Sequence, residues 1–112
     1  MSRRNDANFL RDMIDAAKEA LSFAQGKKRG DLDKDRKLVL SIVRLVEIIG
    51  EAADHISKGF QEAHPEIPWS VIIGMRNRLA HAYFDVDLDR VWDTVKDDLP
   101  LLIAELEKIA EY

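Results

Sequence analysis

The sequence predicts an all-α protein, a compact bundle of four to five helices, and three observations carry that prediction. Apolar residues recur at spacings of three and four through most of the chain, the period of a helix with one face on a core. No alternating apolar and polar run of useful length marks a strand, and no internal repeat is evident. Turn-forming residues gather in only three places, at 26–30, 59–68 and 85–89, and leave long segments between them.

The first segment carries Leu10, Met13, Ala17, Ala20 and Ala24 on one face, after a cap at Asn5 or Asp6, and Gly26 ends it. The basic linker Lys27-Lys28-Arg29-Gly30-Asp31 reads as a flexible, solvated turn, with an RNA-contacting patch as the competing reading. The second helix, expected over 33–58, has two apolar seams side by side: Leu38, Ile42, Leu45, Ile49, Ala52 and Ile56, then Val39, Val43, Val46, Gly50 and Ala53. A helix so apolar packs on two sides, and a partner subunit is one candidate for the second side. Gly50 in mid-helix suggests close helix approach. A third helix is expected from Pro68 or Trp69 to His81 or Ala82, proline being favoured at a first helical position. The fourth follows Asp85 or Asp87 with the seam Leu88, Trp92, Val95, Leu99, Leu102, Leu106 and Ile109, and should kink or restart near Pro100, which lacks an N–H and clashes with the preceding turn.

The 112 residues are read as one domain, 1–112, with a single core and a size at which oligomerisation would help stability. With 46% hydrophobic and 34% charged residues, the composition is too apolar for disorder. No apolar run approaches the roughly 20 residues of a membrane span, and the opening Met-Ser-Arg-Arg-Asn-Asp lacks a signal-peptide apolar region, so the expected compartment is the cytoplasm. The absence of cysteine excludes disulfides, thiolate zinc sites and cysteine nucleophiles. A formal charge of −4 argues against a dedicated high-affinity nucleic-acid binder, yet leaves room for an enzyme that holds RNA briefly.

One segment is dense in groups that could do chemistry: Arg76-Asn77-Arg78-Leu79-Ala80-His81-Ala82-Tyr83. On a continuous helix Arg76 and Tyr83 share a face with Trp69, Ile72 and Leu79, and Asn77 can touch His81, whereas Arg76 and His81 stand about 140° apart. Bringing Arg76 to His81 needs either a helix that ends near His81 or the opposing copy of the segment in a dimer. An imidazole exchanges a proton near neutral pH, and a guanidinium stays charged and binds phosphate oxygens bidentately. Together they suit phosphodiester cleavage, the histidine moving a proton at a ribose 2′-hydroxyl or leaving 5′-oxygen and the arginine stabilising charge on phosphate. That route uses no metal or other cofactor. An ion-paired arginine beside a capping histidine is the structural alternative.

The same segment resembles the R-x-x-x-x-H-x-Y signature of HepT toxins, minimal members of the HEPN superfamily. Ile48-Ile49-Gly50-Glu51-Ala52-Ala53, His64-Pro65-Glu66-Ile67-Pro68-Trp69 and Asp98-Leu99-Pro100 match the family in the same order. The resemblance implies a HEPN bundle and a homodimer whose two segments face each other to form one RNA-cutting cleft. It implies Arg76 and His81 as the catalytic pair, Asn77 as the residue that orients the histidine or contacts phosphate, and metal-independent cleavage leaving a 2′,3′-cyclic phosphate. It further implies a toxin-antitoxin pairing with an MntA-like nucleotidyltransferase that transfers AMP from ATP to Tyr83. Charge and bulk added there would block the RNA phosphate.

Other residues receive plainer readings. Glu51 is expected to pair with Arg76 or Arg78, His55 to lie at the surface, and His64 to position the third helix. Trp69 and Trp92 are read as core rather than base-stacking residues, and Arg78 as part of a positive rim or as a solvated helix residue. The alternative for the whole chain is a non-catalytic HEPN scaffold or binding module that partners a nucleotidyltransferase; a purely structural helical dimer ranks below both.

Overall fold

The structure is a computed structural model, and it describes residues 5–82 and 85–110. Its first helix, α1 (Asp6–Ala24), starts where a capping box closes: the Asn5 side chain accepts from the Asn8 N–H, and the Asn8 side chain accepts from the Asn5 N–H. It ends before Gly26, whose φ of +76° is left-handed and favours glycine. The linker that follows is exposed at Lys27, Lys28 and Gly30, as a solvated turn would be, and has a defined conformation. A 3-10 turn (Arg29–Asp33) buries Leu32, and Arg29 is tied to Asp33 and to Asp89 of a later helix.

Helix α2 (Arg36–His55) is capped by Asp35 and ends three residues short of its expected limit. Its first seam is buried along its whole length; in the second, only Val43 is half-buried. The covering elements all belong to the same chain: α1 on one side, and on the other α4 (Trp69–Ile73), α5 (Met75–Leu79) and α6 (Leu88–Asp93). The doubly apolar face is therefore explained within one subunit. Part of the expected break at 59–68 is the short helix α3 (Lys58–Ala63), capped by the Ser57 hydroxyl, which itself donates to Asp6 at 2.7 Å.

The expected third helix is two helices and a strand. It breaks at Gly74, where α4 gives way to α5, and α5 stops at Leu79. The chain then enters β1 (Ala80–Ala82), which pairs antiparallel with β2 (Asp85–Val86) in the register Ala80 to Val86 and Ala82 to Asp85. Strands of three and two residues are too short to carry a readable alternation in sequence.

The last rod begins at α6, capped by Asp87, passes through one π-helical turn (Thr94–Asp98) and continues as α7 (Leu99–Ala110). The expected irregularity near Pro100 is present as that turn. In a regular α-helix the proline ring would strike the carbonyl of Lys96, and widening the preceding turn relieves the clash. Val91, Val95, Leu99, Leu102 and Leu106 pack the rod onto the core with α1 and α2. The architecture is the all-α bundle the periodicity predicts, with the two-stranded ribbon as its one addition among the described residues. No helix of the described residues is long and apolar enough to cross a membrane.

Candidate active site

The termination of α5 at Leu79 decides how Arg76 and His81 relate. The Ala80 N–H donates to the Arg76 carbonyl, and the Arg76 guanidinium Nη1 donates back to the Ala80 carbonyl at 2.9 Å. Arg76 thus caps the last turn of its own helix, where unpaired carbonyls attract a cation. The same bond holds its guanidinium against the peptide that joins Ala80 to His81. Half-buried Arg76 thus lies against the backbone that leads into exposed His81, at the end of a short helix.

The orientation of His81 follows from the strand. Side chains alternate across a strand, and Ala80 is 2% exposed against the core, so His81 points to the opposite, solvent side. Among the described residues neither ring nitrogen of His81 has a hydrogen-bond partner within the chain. The far end of the ribbon is pinned by the Asp87 N–H, which donates to the Leu79 carbonyl at 2.7 Å and joins the helix end to the start of the last rod. Arg76 has Ala80 as its hydrogen-bond acceptor; the remaining donors of a five-donor guanidinium can still meet an anion.

Several expected contacts are not formed. Asn77 is exposed and its N–H donates to the Gly74 carbonyl at 3.1 Å, but the helix stops before His81, so the i,i+4 approach of Asn77 to His81 does not apply. The expected shared face of Arg76 and Tyr83 involves a residue, Tyr83, that lies outside the described residues. Glu51 pairs with Arg44 at 3.3 Å rather than with Arg76 or Arg78. The hydrogen bond to Glu47 is the main cause that raises the Arg44 pKa above its ordinary value, as the Asp89 bond raises that of Arg29.

The supporting residues behave as expected. His64 is stacked near Phe60 at 4.5 Å, its carbonyl accepts from Trp69 Nε1 at 3.0 Å, and this fixes the start of α4. Trp69 is buried; Trp92 is half-buried under the Lys96 ammonium. His55 is exposed, with Nδ1 at 2.7 Å from the Glu51 carbonyl. Arg78 is exposed on α5 beside Met75, at the rim of a groove it shares with Arg90 and Asp98. Gly50 was singled out by pattern and is confirmed by contact: a Cβ there would meet the Ile73 and Ile72 carbonyl oxygens at 3.0 and 3.2 Å, so α2 and α4 touch backbone to backbone just before the Arg76 segment. Among the described residues, no three His, Asp or Glu side chains are grouped as metal ligands.

The family model described as Ribonuclease HepT-like matches residues 13–109, which include every element around this site. The chain belongs to the HepT-like ribonuclease family. A protein of Thermococcus cleftensis named "Probable ribonuclease HepT" is 38% identical over 107 residues, covering 96% of this chain and 97% of that one. Proteins carrying RNase names from Methanocaldococcus jannaschii and Caldanaerobacter subterraneus are 34% and 33% identical over 107 and 103 residues. They are spanned over 98% and 92% of their lengths, by 96% and 92% of this HepT-like chain. No solved structure matches the chain.

Proposed function

We propose that this HepT-like protein is a metal-independent endoribonuclease in which Arg76 and His81 are the catalytic pair. The observation that carries the reading is the 2.9 Å bond from Arg76 to the carbonyl of Ala80, next to an outward-facing His81. It sets a permanent cation against the peptide that leads into a solvent-facing imidazole. Arg76 holds a non-bridging phosphate oxygen and stabilises charge in the transition state; His81 moves the proton of the 2′-hydroxyl or of the leaving 5′-oxygen. The attacking 2′-oxygen forms a bond to phosphorus as the bond to the 5′-oxygen breaks, leaving a 2′,3′-cyclic phosphate. One pair supplies one proton-transfer group, and general acid and base both act in this reaction; a homodimer with two facing segments supplies a second. Asn77, exposed on the same short helix, is assigned to phosphate contact.

The regulatory part of the proposal follows the family signature. The protein is the toxin of a toxin-antitoxin pair, and an MntA-like nucleotidyltransferase silences it by AMPylating Tyr83, two residues beyond His81. The test is RNA cleavage by purified protein with EDTA present. Cyclic-phosphate ends are expected from the native chain and none from Arg76→Ala or His81→Ala. His81 is exposed, with no hydrogen-bond partner among the described residues, so His81→Ala should stay folded, and undiminished cleavage by that variant would sink the assignment.

A second reading has one observation in its favour. The Arg76 side chain already caps α5, a structural role that needs no RNA. On that reading the chain is a non-catalytic module that partners a nucleotidyltransferase, and native protein leaves RNA intact under the same assay.

A further inference from the structure

A cleft of about 570 Å³ opens between the C-terminal end of α1 and the π-helical turn of the last rod. Lys18, Lys27 and Lys96 stand on its walls, all exposed, with Leu21 and Pro100 as apolar surface between them and buried Val95 beneath. No carboxylate lines it among the described residues, although the chain as a whole carries a formal charge of −4. The basic linker divides accordingly. Arg29 is tied to Asp33 and Asp89, while Lys27 lines the cleft.

The cleft is built at the one distortion of the last rod. Val95, Lys96 and Pro100 belong to the π-turn region, and such turns inside helices occur frequently at functional sites. Two of the lysines have contacts to exchange: Lys18 bridges to Glu107 at 2.9 Å, and Lys96 lies 5.8 Å from the centre of the Trp92 ring. Both contacts are solvent-exposed and weak enough for a phosphate to replace.

We propose that this cleft is a second RNA contact, a sequence-independent seat for the sugar-phosphate backbone of the strand beside the scissile bond. The inference rests on the reading of the chain as a ribonuclease. The site and the cleft share a frame: the Asp87 N–H ties the start of the rod to the helix end that carries Arg76 and His81. From Leu88 to Lys96 is then about 12 Å along the helix axis.

The test is fluorescence anisotropy of a short single-stranded RNA bound by the full chain across a range of salt. Every ribose is 2′-O-methylated, so the RNA has no 2′-hydroxyl to act as nucleophile and stays intact. Each phosphate contact to a single strand contributes about 0.7 to the slope of log K against log salt. The double variant Lys27→Gln/Lys96→Gln should lower that slope by about 1.4. Lys58→Gln/Lys108→Gln, exposed lysines outside the cleft, should leave it unchanged. An unaltered slope in the first variant, an equal fall in the second, or no salt-dependent binding by the native protein overturns the proposal. Cleavage of unmethylated RNA separates the two readings. A protein that binds with the predicted slopes but cuts nothing keeps the cleft and loses the nuclease assignment; a protein that cuts but has lysine-independent slopes loses the cleft alone.

Discussion

Replacing Gly50 by alanine sets two effects of known sign against each other. Alanine in a helix interior is worth about 1 kcal/mol over glycine, so an open site would be stabilised. At this site the added methyl would stand 3.0 Å from the Ile73 carbonyl oxygen and 3.2 Å from that of Ile72. Carbon to carbonyl-oxygen contacts settle at about 3.3–3.6 Å, so α4 must retreat by a few tenths of an ångström. The obstructing atoms are backbone, which cannot rotate away as a side chain would, and this places the overpacking cost in the upper part of its usual range of about 1–3 kcal/mol. The net expectation is a loss of about 1–2 kcal/mol. By the usual scaling for small domains, that lowers the thermal midpoint by about 4–15 °C, readable by circular dichroism. The retreat also moves the residues just before Gly74 and hence Arg76, so RNA cleavage should fall further than the folded fraction explains, with misplacement of about 1 Å able to cost about 100-fold. A Gly50→Ala protein as stable as the native one would refute the backbone contact and the reason given for glycine at this position.

Three further outcomes follow from single contacts. Trp69→Phe keeps the ring in the core but leaves the His64 carbonyl without its Nε1 donor; the expected cost is about 1 kcal/mol by urea melt, and an unchanged midpoint would remove His64 from the positioning of α4. Arg76→Lys retains a charge at the end of α5 but lacks the planar fork for phosphate. Its midpoint should therefore move only by a few degrees while cleavage drops by about 100-fold or more, and a variant that cuts normally would reduce Arg76 to a helix cap. Co-expression with a neighbouring nucleotidyltransferase should add AMP-sized mass increments that are lost in Tyr83→Phe; increments that persist would move the modification elsewhere.

The helices were legible because their burial is periodic and strong. Leu10, Met13, Ala17, Ala20 and Ala24 in α1, and the first seam of α2, are buried as their spacing requires. Asn5 and Asp35 each bond an N–H three residues on, a signal a sequence also carries. Short elements were not legible. The 3-10 turn at Arg29–Asp33 is closed by short-range bonds, among them the Lys28 N–H to the Asp31 carboxylate, that leave no apolar periodicity to read, and β1 exists only because β2 returns to it. The second seam of α2 shows the same limit from another side, for it signalled two-sided packing without naming the cover. Pattern shows that a face is apolar but not whether its cover is a sister helix or a partner subunit, and α4, α5 and α6 provide that cover here.

At the site, the same limit separates which residues were found from how they meet. Composition and motif pointed to Arg76 and His81, yet helical geometry alone kept them about 140° apart. The conflict is resolved by where the helix stops. Gly74 has already broken the segment, α5 has only five residues, and Arg76 spends one of its own donors closing the final turn. The residue proposed to bind phosphate is therefore also the one that caps the helix just before the strand that carries His81. This coupling predicts that chemistry and local structure cannot be fully separated at position 76, whereas at position 81 they can. His81 variants should then report the proton-transfer step, and Arg76 variants should report that step together with the shape of the segment that presents it.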